Sequence, residues 1–80
     1  MKIKKNIAIS ESGFAFDPNS GDSFSLNSIA TEIFTLMKEG KNESEINTFV
    51  IDKYEVDEFT FQRNYDDFIQ MLKYYNFVEE

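Results

Sequence analysis

The stretch Phe14–Leu36, FAFDPNSGDSFSLNSIATEIFTL, decides how this chain is read. Phe14 and Phe16 alternate with Ala15 and Asp17, a period of two that predicts a strand. Pro18-Asn19-Ser20-Gly21 follows. Pro18 presets a turn, and Gly21 can take a positive φ. Phe24 and Leu26 then alternate with Ser23 and Ser25 in a further strand. Asn27 has the chemistry of an N-cap. Behind it, Ile29, Ile33, Leu36 and Met37 form a helical stripe with Ala30 beside them. A hairpin therefore runs straight into an amphipathic helix through Leu26-Asn27.

Upstream, Ile3, Ile7 and Ile9 occupy odd positions with Lys2, Lys4 and Asn6 between them, which predicts a first strand with one buried face. Lys4 and Lys5 would blunt its edge if it lay at the border of the sheet. Glu11-Ser12-Gly13 reads as the turn into the next strand. Downstream, Gly40 closes the first helix in the C′ position. Asn42 with Glu45 makes a capping-box pair that opens a second helix, whose apolar face is Ile46, Phe49, Val50 and Tyr54. Asp57 caps a third helix, and Val56 with Phe61 has the spacing of a hydrophobic staple. Phe61, Tyr65, Phe68, Ile69 and Leu72 line one face of that helix. Tyr75-Asn76-Phe77-Val78 is expected to pack back where it ends. No repeat, linker or low-complexity run interrupts the chain, so residues 1–80 read as a single domain. The fold class is α+β. A three-stranded antiparallel sheet followed by three helices is the outline of a winged helix-turn-helix.

Eighty residues with no Cys must build their core from apolar side chains, since neither disulfide nor thiolate metal site can supplement it. Nine Phe and four Tyr supply much of that core. There is no His, which removes the commonest general base and metal ligand. The serines Ser20, Ser23, Ser25 and Ser28 thus lack a triad partner. Asp66-Asp67 and Glu79-Glu80 are adjacent carboxylates, but neighbouring helical positions point apart, as catalytic pairs do not. Asp17, Asn19 and Asp22 around Gly21 lack the ligand set of a calcium loop. Three scattered glycines make no phosphate cradle. The expectation is no enzyme, no metal and no cofactor. The basic start lacks the apolar run of a signal peptide, and no stretch approaches a membrane helix; a cytoplasmic protein without a membrane partner is expected.

Charge is unevenly placed. Lys2, Lys4 and Lys5 hold three of eight basic residues, whereas all fifteen acidic residues lie beyond Asn6. A recognition helix needs Arg, Lys, Asn or Gln against phosphates and bases. The third helix instead carries Glu58, Asp66 and Asp67 against Arg63 and Lys73, and the hairpin carries Asp17 and Asp22 with no cation. Phosphate backbones should be repelled, so nucleic acid is not the expected partner.

The order and spacing of these elements resemble the PqqD family of peptide chaperones, which serve as recognition elements for ribosomally made precursor peptides. The resemblance spans about Gly13 to Glu80. It is carried by the hairpin closing in Leu26-Asn27, by Ala30, Ile33, Leu36 and Gly40, by Glu45-Ile46, by Val56-Asp57 and by Phe77-Val78. Two positions depart from the family pattern. Asn76 stands where the family often has Gly, and Phe34 where it often has Trp. The resemblance implies a function: capture of a precursor leader peptide and its presentation to a modifying enzyme, often a radical SAM protein. It also implies a site in which the leader adds to the third strand, at Ser23, Phe24, Ser25 and Leu26, and lies against Arg63, Asp67, Phe68 and Met71 of the third helix. A strand edge offers unpaired backbone groups for such addition. Arg63, the only Arg, could grip a leader carboxylate in bidentate fashion, or pair with Asp66 or Asp67 at the surface. A bare edge can also pair with its own copy as a homodimer. Two other readings stay open: a winged-helix transcriptional regulator, and a protein–protein interaction subunit without a peptide ligand.

Overall fold

The computed structural model describes residues 2–10 and 12–79. Glu11 of the expected turn and Glu80 of the terminal carboxylate pair lie outside them. Five short strands and three helices follow in the order β1 (Lys2–Ile3), β2 (Ala8–Ile9), β3 (Phe14–Phe16), β4 (Ser23–Ser25), α1 (Ser28–Lys38), α2 (Glu43–Tyr54), α3 (Glu58–Tyr74) and β5 (Val78–Glu79). The antiparallel sheet β2-β3-β4 followed by three helices is the α+β architecture expected from the sequence.

The first strand departs from expectation. It is broken in two at Lys4–Asn6, and its halves serve different sheets. β1 pairs with β5 at the other end of the chain, Ile3 opposite Val78, while β2 joins β3. Ile7 N–H turns back onto the carbonyl of Lys4 at 3.2 Å, and Lys4 N–H donates to Phe77 O at 2.8 Å. Lys4 and Lys5 therefore sit where the chain passes from one sheet to the other and do not guard an edge. The alternation of isoleucines was a true core signal, since Ile3 and Ile7 are both buried. It gave no sign of the break, because both halves point an isoleucine inward.

The helices begin and end where local chemistry dictates. Asn27 Oδ1 accepts from Ala30 N–H at 2.8 Å. Asn42 and Glu45 form both bonds of the capping box, at 3.0 and 2.9 Å. Asp57 Oδ1 accepts from Thr60 N–H at 2.7 Å. At the end of α1, Gly40 (φ +88°) directs its N–H to Met37 O and lets Lys41 N–H reach Leu36 O. That is the two-bond closure of a Schellman motif. The end of α3 repeats it with Asn76 (φ 60°): Asn76 N–H bonds Lys73 O and Phe77 N–H bonds Leu72 O. Asparagine thus takes the left-handed position that glycine usually fills. The closure throws Phe77 into the core, fully buried, and leads Val78 into β5.

The core gathers Ile33 and Phe34 of α1, Ile46 and Val50 of α2, and Phe61, Phe68 and Leu72 of α3 around Ile7, Ala15 and Phe77. Val56 packs partly buried against it, consistent with the staple to Phe61. Phe49 departs from the expected stripe. It is 44% exposed, with the Lys53 ammonium 5.7 Å from its ring centroid. Ile46 and Val50, one turn apart, already fill the face that α2 gives to the core.

The sheet sorts its residues by face. Ile9, Ala15 and Phe24 share the inner face; Ala8, Phe16 and Ser23 form one cross-strand row on the outer face, and Phe14 with Ser25 another. The small residue of β3 faces inward: Ala15 is fully buried, whereas Phe14 is 50% and Phe16 42% exposed. Gly13 shows why bulk is excluded just upstream. A Cβ there would stand 3.0 Å from Leu26 O and 3.2 Å from Thr31 Oγ1, and its φ of +89° strains any L side chain.

Candidate functional site

β4 is an edge strand of the three-stranded sheet. Its hydrogen-bond parity follows from the two bonds that flank it. Asp17 N–H donates to Asp22 O at 2.9 Å, and Leu26 N–H donates to Gly13 O at 2.7 Å. Antiparallel pairs alternate between bonded and non-bonded. With Phe24 opposite Ala15, the bonded pairs are 17/22, 15/24 and 13/26. Asp22, Phe24 and Leu26 hence turn their backbone groups toward β3. Ser23 and Ser25 turn theirs away from the sheet, to the open side. Both serines are exposed, so N–H and C=O groups at two positions face outward with no strand beside them among the described residues.

Side chains of β4 divide the opposite way. Phe24 reaches inward and half-stacks on Phe77 at 5.0 Å between centroids, with Tyr75 tilted against it at 4.5 Å. Tyr74 meets Tyr75 edge-on at 5.0 Å. This run of rings joins β4 to the C-terminal end of α3. Leu26, partly buried, closes the strand above α1.

On α3, Arg63, Asp67 and Met71 recur every four residues and so share one face of the helix. Arg63 and Asp67 are exposed and Met71 is half-buried. Among the described residues the one ion pair is Lys53–Glu32, so neither Asp66 nor Asp67 holds Arg63. Asp66 instead accepts from Gln62 Nε2 at 2.9 Å. Phe68 is different. It is 4% exposed and lies edge-on to Phe34 at 6.2 Å, so its ring belongs to the core. The residues assigned by resemblance thus fall into an open strand edge (Ser23, Ser25), an exposed helix face (Arg63, Asp67, with Met71 at its border) and inward anchors (Phe24, Leu26, Phe68).

Sequence reasoning missed Tyr75 and Phe77 as the rings that seat Phe24. The signal was present in the apolar residues flanking Asn76, but which strand they would meet is a tertiary fact. Tyr65 lies outside this surface, beside Glu43 and Asp66; burial first, and those carboxylates second, push its phenol above the ordinary range. Asp17 and Asp22 serve the hairpin turn: Asp17 Oδ1 accepts from Asn19 N–H at 2.9 Å and Asp22 Oδ2 from the Ser20 hydroxyl at 3.1 Å. No helix among the described residues is long and apolar enough to cross a membrane.

The family model of coenzyme PQQ synthesis protein D matches residues 13–78, from the turn before β3 to the start of β5. The chain belongs to the PqqD family. Two solved structures share its fold. "TbiB1 in Complex with the TbiA(beta) Leader Peptide" has a TM-score of 0.83 and 28% identity, over 99% of this chain and 95% of that one. "Lasso peptide synthetase B1 complexed with the leader peptide" has a TM-score of 0.74 and 23% identity, over 90% of this chain and 88% of that one; it speaks for the fold alone. No curated protein matches the chain. PqqD membership fits the local chemistry at both departures from the family pattern. Asn76 holds the left-handed cap, and Phe34 fills its place fully buried.

Proposed function

We propose that this PqqD-family chain, acting as a single domain over its whole length, captures the leader of a ribosomally made precursor peptide by strand addition to β4 and presents it to a modifying enzyme. The observation that carries the reading is the outward parity of Ser23 and Ser25 on an uncovered edge. Backbone groups there can bond an extended peptide without disturbing the ladder to β3. An added strand would lie beside the α3 face of Arg63, Asp67 and Met71. In this reading Arg63 pairs a leader carboxylate, and Asp67 a leader cation. Phe68 acts from beneath, as packing that fixes α3. The fold's occurrence in a 28% identical protein solved in complex with a leader peptide supports the same reading.

The modifying enzyme, radical SAM or other, would meet the peptide while it is held on β4. Such a carrier needs no catalytic group of its own. Nothing on α3 favours the alternative of a transcriptional regulator, because Glu58, Asp66 and Asp67 outnumber Arg63 and Lys73 where phosphates would lie. The test is amide hydrogen exchange with a peptide selected for binding from a displayed library of extended random peptides. Ser23 and Ser25 amides should exchange much more slowly with peptide bound, while the Phe24 amide, already in the ladder, changes little. Duplex DNA at low salt should leave all three unaltered. Protection by DNA, or peptide binding that leaves Ser23 and Ser25 unprotected, would overturn the proposal. A stable strand-paired homodimer would also protect those amides without peptide, and sedimentation separates that case.

A further inference from the structure

The outer face of the sheet carries two exposed rings that the proposed site does not use. Phe14 and Phe16 stand on β3, two residues apart, about half open to solvent. Their neighbours across the strand pair are Ser25 and Ser23. The outer face thus has a ridge of two aromatics and, beside it, a trough of two small hydroxyls that ends at the open edge of β4. Side chains directly opposite each other in an antiparallel ladder lie on the same face. A peptide strand added to β4 would therefore continue both rows: Ala8–Phe16–Ser23–peptide, and Phe14–Ser25–peptide.

We infer that Phe14 and Phe16 form a second specificity surface that reads apolar side chains of the bound peptide at the positions opposite Ser23 and Ser25. The inference rests on the strand-addition reading above and deepens it. Adjacent strands lie about 4.8 Å apart, so the peptide strand would run roughly 9.6 Å from β3. The serines between them project too little to separate the two. A Leu, Ile, Met or aromatic side chain leaning over the serine meets a ring leaning from the other side. The peptide would then be gripped on both faces. Residues of one parity would turn to the inner side, toward Phe24, Tyr75 and Met71; those of the other parity would cover the outer rings. The ligand class is accordingly an extended peptide with apolar residues at both parities over about four positions, not one with a polar outer face. The ridge is continuous with the open edge of β4, where Ser23 and Ser25 turn their backbone groups outward, and this makes the added peptide, and not a distant partner, its occupant.

The experiment compares peptides selected from one displayed random library by the wild-type chain and by a Phe14→Thr, Phe16→Thr double variant, with Ser25→Pro as a control for edge binding. Threonine keeps strand preference, and both positions face solvent, so the variant should remain folded; its melting curve checks this. Wild-type selections should show apolar enrichment at both alternating parities. The variant should lose enrichment at one parity only and bind wild-type-selected peptides about tenfold more weakly. Replacing the apolar residues of that parity in a selected peptide should cost the wild type the same factor and the variant little. If selections depend on Ser25 but both proteins return the same pattern at both parities, the inference fails while strand addition stands. If Ser25→Pro leaves binding unchanged, strand addition itself fails. If the double variant binds as before but the wild type self-associates and the variant does not, the rings serve a second copy of the chain, and the inference is overturned.

Discussion

β4 and α3 form the two walls of the proposed peptide site, and they are built in opposite ways. α3 is seventeen residues long, capped at both ends and fastened by Phe61, Phe68 and Leu72. β4 is three residues long and sends one half-buried ring, Phe24, toward the core. One wall is defined by what it has satisfied, the other by what it leaves open. A surface meant to accept a strand needs both properties. The unsatisfied edge supplies the bonds, and the fixed helix keeps a constant distance from which side chains can read the added peptide.

The comparison predicts that damage to α3 is mostly paid in stability. Phe61 is fully buried and lies against Tyr65 at 5.5 Å between centroids. Phe61→Ala should cost about 3–5 kcal/mol, a large share of the ~5–15 kcal/mol available to a domain. Chemical denaturation should show the midpoint falling steeply. A nearly unchanged midpoint would mean that α3 is held by something other than its buried stripe.

Damage to β4 should split by parity. Ser23→Pro and Ser25→Pro remove donors that face solvent and are tolerated at an edge. They should leave the fold intact and weaken peptide binding by about 1 kcal/mol per lost bond, several-fold in Kd, before any clash. Phe24→Pro removes a ladder donor and the ring that seats on Phe77, and should unfold the hairpin. Asp22→Pro is a poorer probe than its inward parity suggests, because Asp22 N–H bonds the Ser20 hydroxyl at 3.2 Å and not the ladder. Circular dichroism and peptide titration on the same variants check both halves. Equal loss of fold from Ser25→Pro and Phe24→Pro would erase the difference between the two sides of the strand.

How much of this was legible in the sequence also differs between the walls. Everything local to α3 could be read: the Asp57 cap, the Val56–Phe61 staple, the buried stripe and the closing turn at Asn76. These depend on residues within one or two turns of each other. β4 was legible as a strand, but not in its parity, because parity is set by register against β3. The break at Lys4–Asn6 was hidden for a similar reason. Isoleucines at alternate positions look the same whether one sheet or two receives them, and the partner of β1 lies at the far end of the chain. Phe14 and Phe16 were assigned to a strand correctly. Their exposure depended on the inner face having room only for Ala15 beside Phe24, which no periodicity encodes. Arg63, Asp67 and Met71 came from family resemblance, and the shared face they occupy follows from their spacing.

The closure of α3 offers a smaller effect. Asn76 holds a left-handed conformation (φ 60°) that lets Phe77 N–H reach Leu72 O at 2.8 Å. A β-branched residue there should cost about 1–2 kcal/mol, while Asn76→Gly should be neutral or slightly stabilising. Because Phe77 seats Phe24, Asn76→Val should also loosen β4, seen as faster exchange of the Phe24 amide relative to the amides of α1. Equal acceleration throughout would mean that the turn stabilises the domain without coupling the two walls.

The smallest effect is expected at the other end of α3, and it depends on pH. Asp57 accepts from Thr60 N–H, and this backbone bond first, with the nearby Thr60 side chain second, holds its carboxyl below the usual carboxylate range. The negative charge also lies at the positive end of the helix dipole. A group whose pKa is lower in the folded chain stabilises the fold above its unfolded pKa, about 3.9 for Asp. That contribution is lost as pH falls through the folded value. Asp57→Ala should therefore melt below the wild type at pH 7, and the gap should narrow as the medium is taken from pH 5 down to pH 2. Asp57→Asn keeps a capping oxygen without a titrating charge, so its own cap should not weaken over that range. Melting temperatures of the three proteins across the series decide the matter. A wild type to Asp57→Ala gap that stays constant to pH 2 would show that the cap acts without its charge, and that the helix wall of the site owes nothing to ionised Asp57.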